Sequence, residues 1–139
     1  MEAATHPLIG KGKAALDTPA LIVDLDVLAA NIARIAKTCR ENGVGWRPHS
    51  KAHKTPDIAR LELAAGAIGI ACAKVGEAEA MAAGGIRDIF IVNQIVGAQK
   101  VRRLIDLIGA ARPMVAVDCI ANLAELDVAA RAQGKTLDV

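Results

Sequence analysis

Three short, continuous runs of apolar residues divide the second half of the chain at regular intervals. They are "IGIACA" at residues 68–73, "DIFIVN" at 88–93 and "MVAVD" at 114–118. Apolar runs of this length without polar alternation are typical of strands that are covered on both faces, as in a parallel sheet. Two further runs, "PALIVD" at 19–24 and "KTLDV" at 135–139, are predicted as a strand and as the start of another.

Five other segments have the apolar spacing or the alanine-rich composition of helices. They are marked by Leu28, Ile32, Ile35 and Cys39; by residues 56–66; by residues 75–83; by Val101, Leu104, Ile105 and Ile108; and by Leu123, Leu126 and Ala130. Asp26 is the predicted N-cap of the first helix, which Gly43 ends, and Thr55 with Pro56 opens the second. Glycines near the other predicted ends support these boundaries.

The alternation of strand and helix predicts βα units joined by right-handed crossovers. Both an open doubly wound sheet and a (β/α)8 barrel fit this order. A barrel needs about 250 residues, and this chain has 139. We therefore expect the first half of a TIM barrel, with residues 1–18 as a lead-in and 19–139 as a partial barrel domain. If the chain is complete, the open sheet is favoured.

Composition narrows the function classes. The chain is 53% hydrophobic with a net charge of +2 and only two aromatic residues, Trp46 and Phe90, which argues against nucleic-acid and anionic-membrane binding. The three cysteines lack metal-site spacing, and the N-terminus lacks the apolar core of a signal peptide, so we expect reduced thiols in a cytoplasmic protein. The longest apolar run is interrupted by glycines and is shorter than the ~20 residues of a membrane span.

One stretch, "GWRPHSKAHKTP" at 45–56, concentrates basic chemistry. If residues 45–53 form the first barrel strand, alternation places Arg47, His49, Lys51 and His53 on one face, directed into the barrel near its carboxyl-terminal mouth. The alternative is a solvated loop, which Pro48 favours because proline removes a hydrogen-bond donor from a strand. A zinc site at His49 and His53 is disfavoured, because no glutamate follows the first histidine and Pro48 argues against a helix.

A partly desolvated lysine at the mouth of a barrel can form an imine with a carbonyl compound. Neighbouring cations such as Arg47 favour the neutral amine. Pyridoxal phosphate is a natural partner, because it requires such a lysine and a place for its phosphate. Spacing alone leaves both Lys51 and Lys54 open, although alternation favours Lys51 as the inward-facing residue.

Four segments carry a family resemblance: "TPALIVDLDVLAANIARI", "RPHSKAHKTPDIARLEL", "GIACAKVGEAEAMAAGGIRDIFIVNQIVG" and "VDCIANLAEL". Together they resemble the D-threonine aldolase and D-serine dehydratase family, in the alanine-racemase-like class of pyridoxal phosphate enzymes. The resemblance implies a barrel of the alanine racemase N-terminal type followed by a β-rich domain, with which residues 19–24 would pair. It assigns the internal aldimine to Lys51, and it implies a divalent metal bound beyond this chain and a homodimer in the full-length form.

The resemblance implies a lyase that cleaves or dehydrates D-3-hydroxy amino acids. Arg47, His49 and Asn93, at predicted strand ends, are further candidates to contact the cofactor, although each can equally serve as a structural hydrogen-bonding group. Ala73 departs from the glutamine of some family aldolases and leaves the substrate open. Two alternatives remain: a non-catalytic pyridoxal phosphate homeostasis protein of the single-domain barrel type, with which "SKAHK" agrees loosely, and an inactive barrel fragment.

Overall fold

The structure, a computed structural model, describes residues 6–139. Within them, α-helices and β-strands alternate after a first helix. In chain order the elements are α1 (Leu25–Glu41), α2 (Pro56–Ala64), β1 (Ile70–Cys72), α3 (Val75–Ala83), β2 (Asp88–Ile91), α4 (Ala98–Asp106), β3 (Arg112–Val115) and α5 (Ile120–Ala132). Two single turns of 3₁₀ helix, Lys13–Ala15 and Ser50–Ala52, complete the described part of the chain.

The strands form a parallel sheet in the order β1-β2-β3, with Ile70 beside Ile89 and Ile89 beside Pro113. Isolated parallel bridges extend the sheet on both sides, His49 to Ala71 before β1 and Met114 to Asp138 beyond β3. Spatial order therefore follows chain order across all five segments. This order matches part of a barrel, whereas a doubly wound sheet reverses direction at a switch point. The fold is a TIM-barrel-like α/β arrangement.

The core lies between the sheet and the helices that follow its strands. All three residues of β1 are buried, as the unbroken apolar run predicts. The helices contribute their inward faces, which include Val75, Ala78 and Met81 of α3 and Val101, Leu104 and Ile105 of α4. The remaining residues of α3 and α4 are polar, glycine or alanine, so burial rather than helix propensity fixes the orientation of these two helices.

Helix boundaries follow the predicted caps with one correction. The α2 start is confirmed, with Thr55 as the N-cap and Pro56 as the first helical residue. At α1 the prediction of Asp26 as the cap is wrong, because the Asp24 carboxylate accepts hydrogen bonds from the backbone N–H groups of Asp26 and Val27. Asp26 instead lies in the first turn, where a negative charge favours the helix dipole.

The predicted strand at residues 19–24 is absent from the structure. This segment has no regular secondary structure, and the side chains of Leu21, Ile22 and Val23 are exposed. A strand needs a hydrogen-bonded neighbour, and no segment among residues 6–139 pairs with this one. The predicted lead-in, residues 1–18, falls partly outside the described residues.

The predicted strand at residues 45–53 is correct only in its first half. Trp46 O and Pro48 O accept hydrogen bonds from the N–H groups of Ile68 and Ala71, and the bridge at His49 is the last strand-like pairing. The chain then turns into the 3₁₀ helix Ser50–Ala52. Alternation of side chains between two faces ends there, so the prediction that Arg47, His49, Lys51 and His53 share one face is wrong.

Candidate active site

The carboxyl ends of the parallel strands meet along one edge of the sheet. His49 and the Ser50–Ala52 turn come first along this edge, Ala73 follows β1 and Asn93 follows β2. In parallel α/β proteins, ligands bind at this edge, because the loops that follow the strands converge there. Catalytic side chains are therefore expected along this edge.

We call Ser50–Ala52 the Lys51 turn. Ser50 anchors it from below: its side chain is fully buried, and its hydroxyl donates to Ala71 O at 3.1 Å. His49 closes the turn from above, since its Nδ1 accepts a hydrogen bond from the Lys51 N–H at 3.1 Å. The Ser50 carbonyl in turn accepts from the N–H groups of His53 and Lys54. The backbone that carries Lys51 is thus fixed at both ends.

Cys72 lies directly beneath this turn. Its Sγ is 3.4 Å from Ser50 Oγ, and its side chain is fully buried. Burial raises the pKa of the Cys72 thiol, and the smaller effect of the Ser50 hydroxyl does not offset this. Cys72 is therefore a neutral packing residue of the turn, unlike a reactive cysteine, whose pKa is lowered.

Lys51 itself is exposed at the edge of the sheet. None of the ion pairs within residues 6–139 includes Lys51, so no acid competes there for its ammonium group. The prediction of a partly desolvated lysine is wrong for this structure, because Lys51 is exposed on a turn that is anchored to β1 through Ser50. The turn thus presents an amine without an ion-pair partner among residues 6–139, at the edge where ligands bind in parallel α/β proteins.

Lys54, the other lysine that the spacing left open, has a partner. Its Nζ lies 3.9 Å from Glu77 Oε1, and its backbone adopts a positive φ of 53°. A cavity of about 220 Å³ adjoins this pair, lined by Lys54, Lys74, Gly76, Glu77, Ala80 and Met81. The structure therefore distinguishes the two lysines: Lys51 is unpaired within residues 6–139, and Lys54 faces a carboxylate.

Glu77 is a functional candidate that reasoning from the sequence did not single out. It is the third residue of α3, its side chain is 9% exposed, and its Oε2 accepts a hydrogen bond from Ala73 N–H at 2.8 Å. Asn93 completes this arrangement, because its Nδ2 donates to Ala73 O at 2.8 Å. An acid in the first turn of a helix that follows a strand is a recognisable capping signal.

Arg47 lies at the opposite end of the sheet from the Lys51 turn. Its Nη1 is 2.5 Å from Oδ1 of Asp88, and Asp88 is the first residue of β2. Asn93, by contrast, follows the end of the same strand. The structure thus gathers His49, Lys51 and Asn93 at the carboxyl edge of the sheet and leaves Arg47 out of this group. A cofactor contact for each of these residues stays a prediction.

The described residues offer no ready metal site. Within residues 6–139, no three side chains of His, Cys, Asp or Glu come together in a way that could hold a metal ion. His49 and His53 serve different neighbours: His49 Nδ1 accepts from Lys51 N–H, and His53 Nδ1 accepts from Thr55 N–H.

Among the helices of residues 6–139, none is both long and apolar enough to cross a membrane.

Most of this chain is similar in sequence to one protein family. The family model described as "Alanine racemase, N-terminal domain" matches residues 23–139. A D-threonine aldolase from Arthrobacter sp. is 42% identical over 130 residues, which cover 94% of this chain and 34% of the relative. A D-threo-3-hydroxyaspartate dehydratase from Delftia sp. (strain HT23) is 35% identical over 113 residues, 73% of this chain and 30% of the relative.

Solved structures give the same result. The crystal structure of a D-threonine aldolase from Filomicrobium marinum matches with a TM-score of 0.86 and 44% sequence identity, over 88% of this chain and 33% of that one. The chain spans about a third of the length of the relatives that it matches.

Proposed function

Because the chain belongs to the alanine racemase N-terminal domain family, we propose that it forms the first part of a pyridoxal phosphate-dependent lyase that acts on D-3-hydroxy amino acids. The relatives support this proposal: one cleaves D-threonine by name, and another dehydrates D-threo-3-hydroxyaspartate by name. Both substrates carry a hydroxyl group on the carbon next to Cα of a D-amino acid. The shared chemistry is therefore the loss of a bond at one of these two carbons.

The position of Lys51, an unpaired amine on a fixed turn at the carboxyl edge of the sheet, is the single observation that carries the proposal. Pyridoxal phosphate needs a lysine amine that no carboxylate holds, on backbone rigid enough to orient it. Lys51 meets both conditions, since it takes part in none of the ion pairs of residues 6–139 and its turn is fastened by Ser50 and His49. When bound, the cofactor supplies an electron sink for the bond that breaks at Cα.

The residues of this chain would bind and orient the cofactor and the substrate. Lys51 Nζ would hold the cofactor, and His49 fixes the backbone from which that amine extends. Asn93 and Glu77 hold Ala73 from two sides and keep the loop after β1 in place beside the turn. Lys54 and Glu77 form an ion pair at the same edge, beside the Lys51 turn.

We also propose that the complete protein closes this sheet into a (β/α)8 barrel. The sequential order of five parallel segments supports this, because barrel strands follow one another in space as they do in the chain. Closure would cover Lys51 from the side that is open here. A second, β-rich domain, a homodimer and a cytoplasmic location remain predictions from the resemblance and the composition.

The divalent metal that the resemblance implies finds no ligand set among residues 6–139. We therefore assign no step of the reaction to a metal in this part of the protein. Aldol cleavage and dehydration both remain open, since relatives of each type match this chain. The non-catalytic alternative has less support, because these relatives are named for lyase reactions.

The proposal is tested by covalent labelling of the complete gene product. The protein is incubated with pyridoxal phosphate, reduced with borohydride and digested, and the labelled peptide is identified by mass spectrometry. We expect the label on Lys51, its loss in Lys51→Ala, and its retention in the matched variant Lys54→Ala. Label on Lys54, or none on the wild type, contradicts the assignment.

The same preparation distinguishes the reaction types. With D-threonine, aldol cleavage releases glycine and acetaldehyde, whereas dehydration of D-threo-3-hydroxyaspartate releases oxaloacetate and ammonia. Absence of all these products from a wild-type protein that is labelled at Lys51 would favour the non-catalytic alternative.

A further inference from the structure

Directly after the Lys51 turn, two buried polar atoms face each other without a hydrogen-bond partner. They are Nε2 of His53 and Oε2 of Glu62, which are 3.8 Å apart. The two side chains are only 16% and 12% exposed. Leaving buried donors and acceptors unpaired is unfavourable, so two such atoms in one place call for a structural reason.

The hydrogen bonds of His53 determine which ring nitrogen carries the proton. Nδ1 accepts from the Thr55 N–H at 3.0 Å, so in the neutral ring the proton is on Nε2. Nε2–H is then a donor, and the Glu62 carboxyl oxygen opposite it is an acceptor. A movement of about 1 Å would bring the 3.8 Å separation to hydrogen-bond distance. Burial lowers the pKa of His53, which agrees with a neutral ring.

His53 connects the Lys51 turn to α2 through three separate groups. Its N–H donates to Ser50 O and closes the turn, its carbonyl accepts from Thr55 Oγ1 at 2.7 Å, and its ring faces Glu62 on the buried side of α2. Lys54, the next residue, has a φ of 53°, an uncommon backbone conformation for a residue with a long side chain. Such conformations persist only where their surroundings hold them, and they concentrate at functional sites.

We propose that His53 and Glu62 are a positioning pair, in which Nε2–H of His53 donates to the Glu62 carboxyl group and fastens the Lys51 turn to α2. The pair thereby sets the direction in which Lys51 presents its amine. This inference rests on the proposed function, because it concerns the lysine that would carry the cofactor. Neither residue touches the reacting groups; both act through the backbone of the turn.

The test uses the complete gene product and two replacements of Glu62. Glu62→Gln keeps a carbonyl oxygen that can accept from His53, whereas Glu62→Met keeps the volume and removes the acceptor. Asp57→Asn is the matched control on the same helix, since within residues 6–139 the only ion pair of Asp57 is with the exposed Arg60. The readout is the rate at which pyridoxal phosphate is incorporated at Lys51, measured by borohydride trapping and peptide mapping.

We expect Glu62→Met to lower this rate about tenfold, as loss of one buried hydrogen bond can do, and to shift part of the label to Lys54. Glu62→Gln and Asp57→Asn should label Lys51 at close to the wild-type rate. If Glu62→Met unfolds at a lower temperature yet labels Lys51 as fast as the wild type, the pair is merely structural and the inference is wrong. A wild type that does not label Lys51 contradicts the proposed function instead.

A measurement on the wild type covers the case in which Glu62→Met does not fold. The ¹⁵N chemical shifts of the His53 ring, assigned by their loss in His53→Gln, report which nitrogen carries the proton. We expect the Nε2–H form near neutral pH, with a proton that exchanges slowly with solvent. An Nδ1–H form, or a rapidly exchanging ring, contradicts the proposed hydrogen bond.

Discussion

At the scale of single residues, Gly69 marks the point where the Arg47 side chain crosses the amino edge of the sheet to reach Asp88. A Cβ at this position would overlap Arg47 Nη1 and Asp88 Oδ1. Either the ion pair or the strand that begins at Ile70 would have to shift. Glycine at residue 69 therefore leaves room for the ends of the Arg47 and Asp88 side chains, and it also suits a φ of 154°, which residues with a side chain rarely adopt.

We expect Gly69→Ala to lower the free energy of unfolding by about 1–3 kcal/mol, the usual cost of overpacking a fitted site. Urea denaturation of the two proteins would measure it. Gly12→Ala is the control, because no atom lies within 4 Å of a Cβ there and its φ is ordinary. Equal stability of Gly69→Ala and the wild type would mean that Arg47 does not occupy this position.

Residue-level reasoning from the sequence failed where contacts between distant residues decide. Lys51 was favoured over Lys54 by alternation, and the structure also separates these lysines, though for a different reason: only Lys54 faces an acid, Glu77, which lies 23 positions further along the chain. Arg47 was grouped with Lys51 because strand periodicity was extended through Ser50. No local signal shows that the Ser50 hydroxyl is buried against Ala71 O.

At the scale of elements, helix α1 depends on its N-terminal cap. The helix has few buried residues, Ile32 and Ala36, so packing alone holds it weakly. Asp24 supplies acceptors for two of the N–H groups that every helix start leaves without an intrahelical partner. Loss of this cap should therefore lower the stability of the whole helix.

We expect Asp24→Ala to lower the free energy of unfolding by about 1 kcal/mol, the typical cost of a lost N-cap. Asp26→Ala should cost less, because Asp26 acts only through the helix dipole in the first turn. Urea denaturation followed by far-ultraviolet circular dichroism compares the two variants directly. A larger loss for Asp26→Ala would mean that the helix begins two residues later than in this structure.

Element boundaries were predictable where periodicity and capping agree. Residues 75–83 were predicted as a helix and form α3 over the same span, because an Ala/Glu-rich segment ends there at paired glycines. Residues 19–24 show the limit of this reasoning. Their β-branched, apolar composition suits a strand, but a strand exists only beside another, and no partner lies within residues 6–139.

At the scale of the whole molecule, large apolar side chains remain uncovered on one part of the surface. Leu21, Ile22, Val23 and Leu25 are consecutive or nearly so, and each is more than half exposed. At the two borders of the sheet, residues 49 and 138 each pair through a single bridge. Exposed apolar patches and weakly paired sheet borders both favour association between molecules.

We expect the 139-residue chain, expressed alone, to associate in a concentration-dependent way. Size-exclusion chromatography with light scattering over a range of concentrations would measure it. Replacing Leu21 and Ile22 with serine should reduce the association, whereas the same change at Val128, exposed on α5, should have less effect. A chain that stays monomeric at all concentrations would contradict this expectation.

The order of the strands was the most informative global feature. Alternating strand and helix runs in the sequence fit both a barrel and an open sheet, and only the resemblance and the chain length favoured the first half of a barrel. The order of the strands in space depends on which neighbour each crossover reaches, and no single run of residues encodes that choice. In this structure the order is His49, β1, β2, β3 and Asp138, as in the chain.

The fixed backbone of Ala73 has one further consequence. Its N–H and its carbonyl are both already engaged, by Glu77 and by Asn93, so exchanging the methyl group for a longer side chain leaves both anchors in place. Residue 73 can therefore carry side chains of different size and polarity while the backbone around it keeps its position.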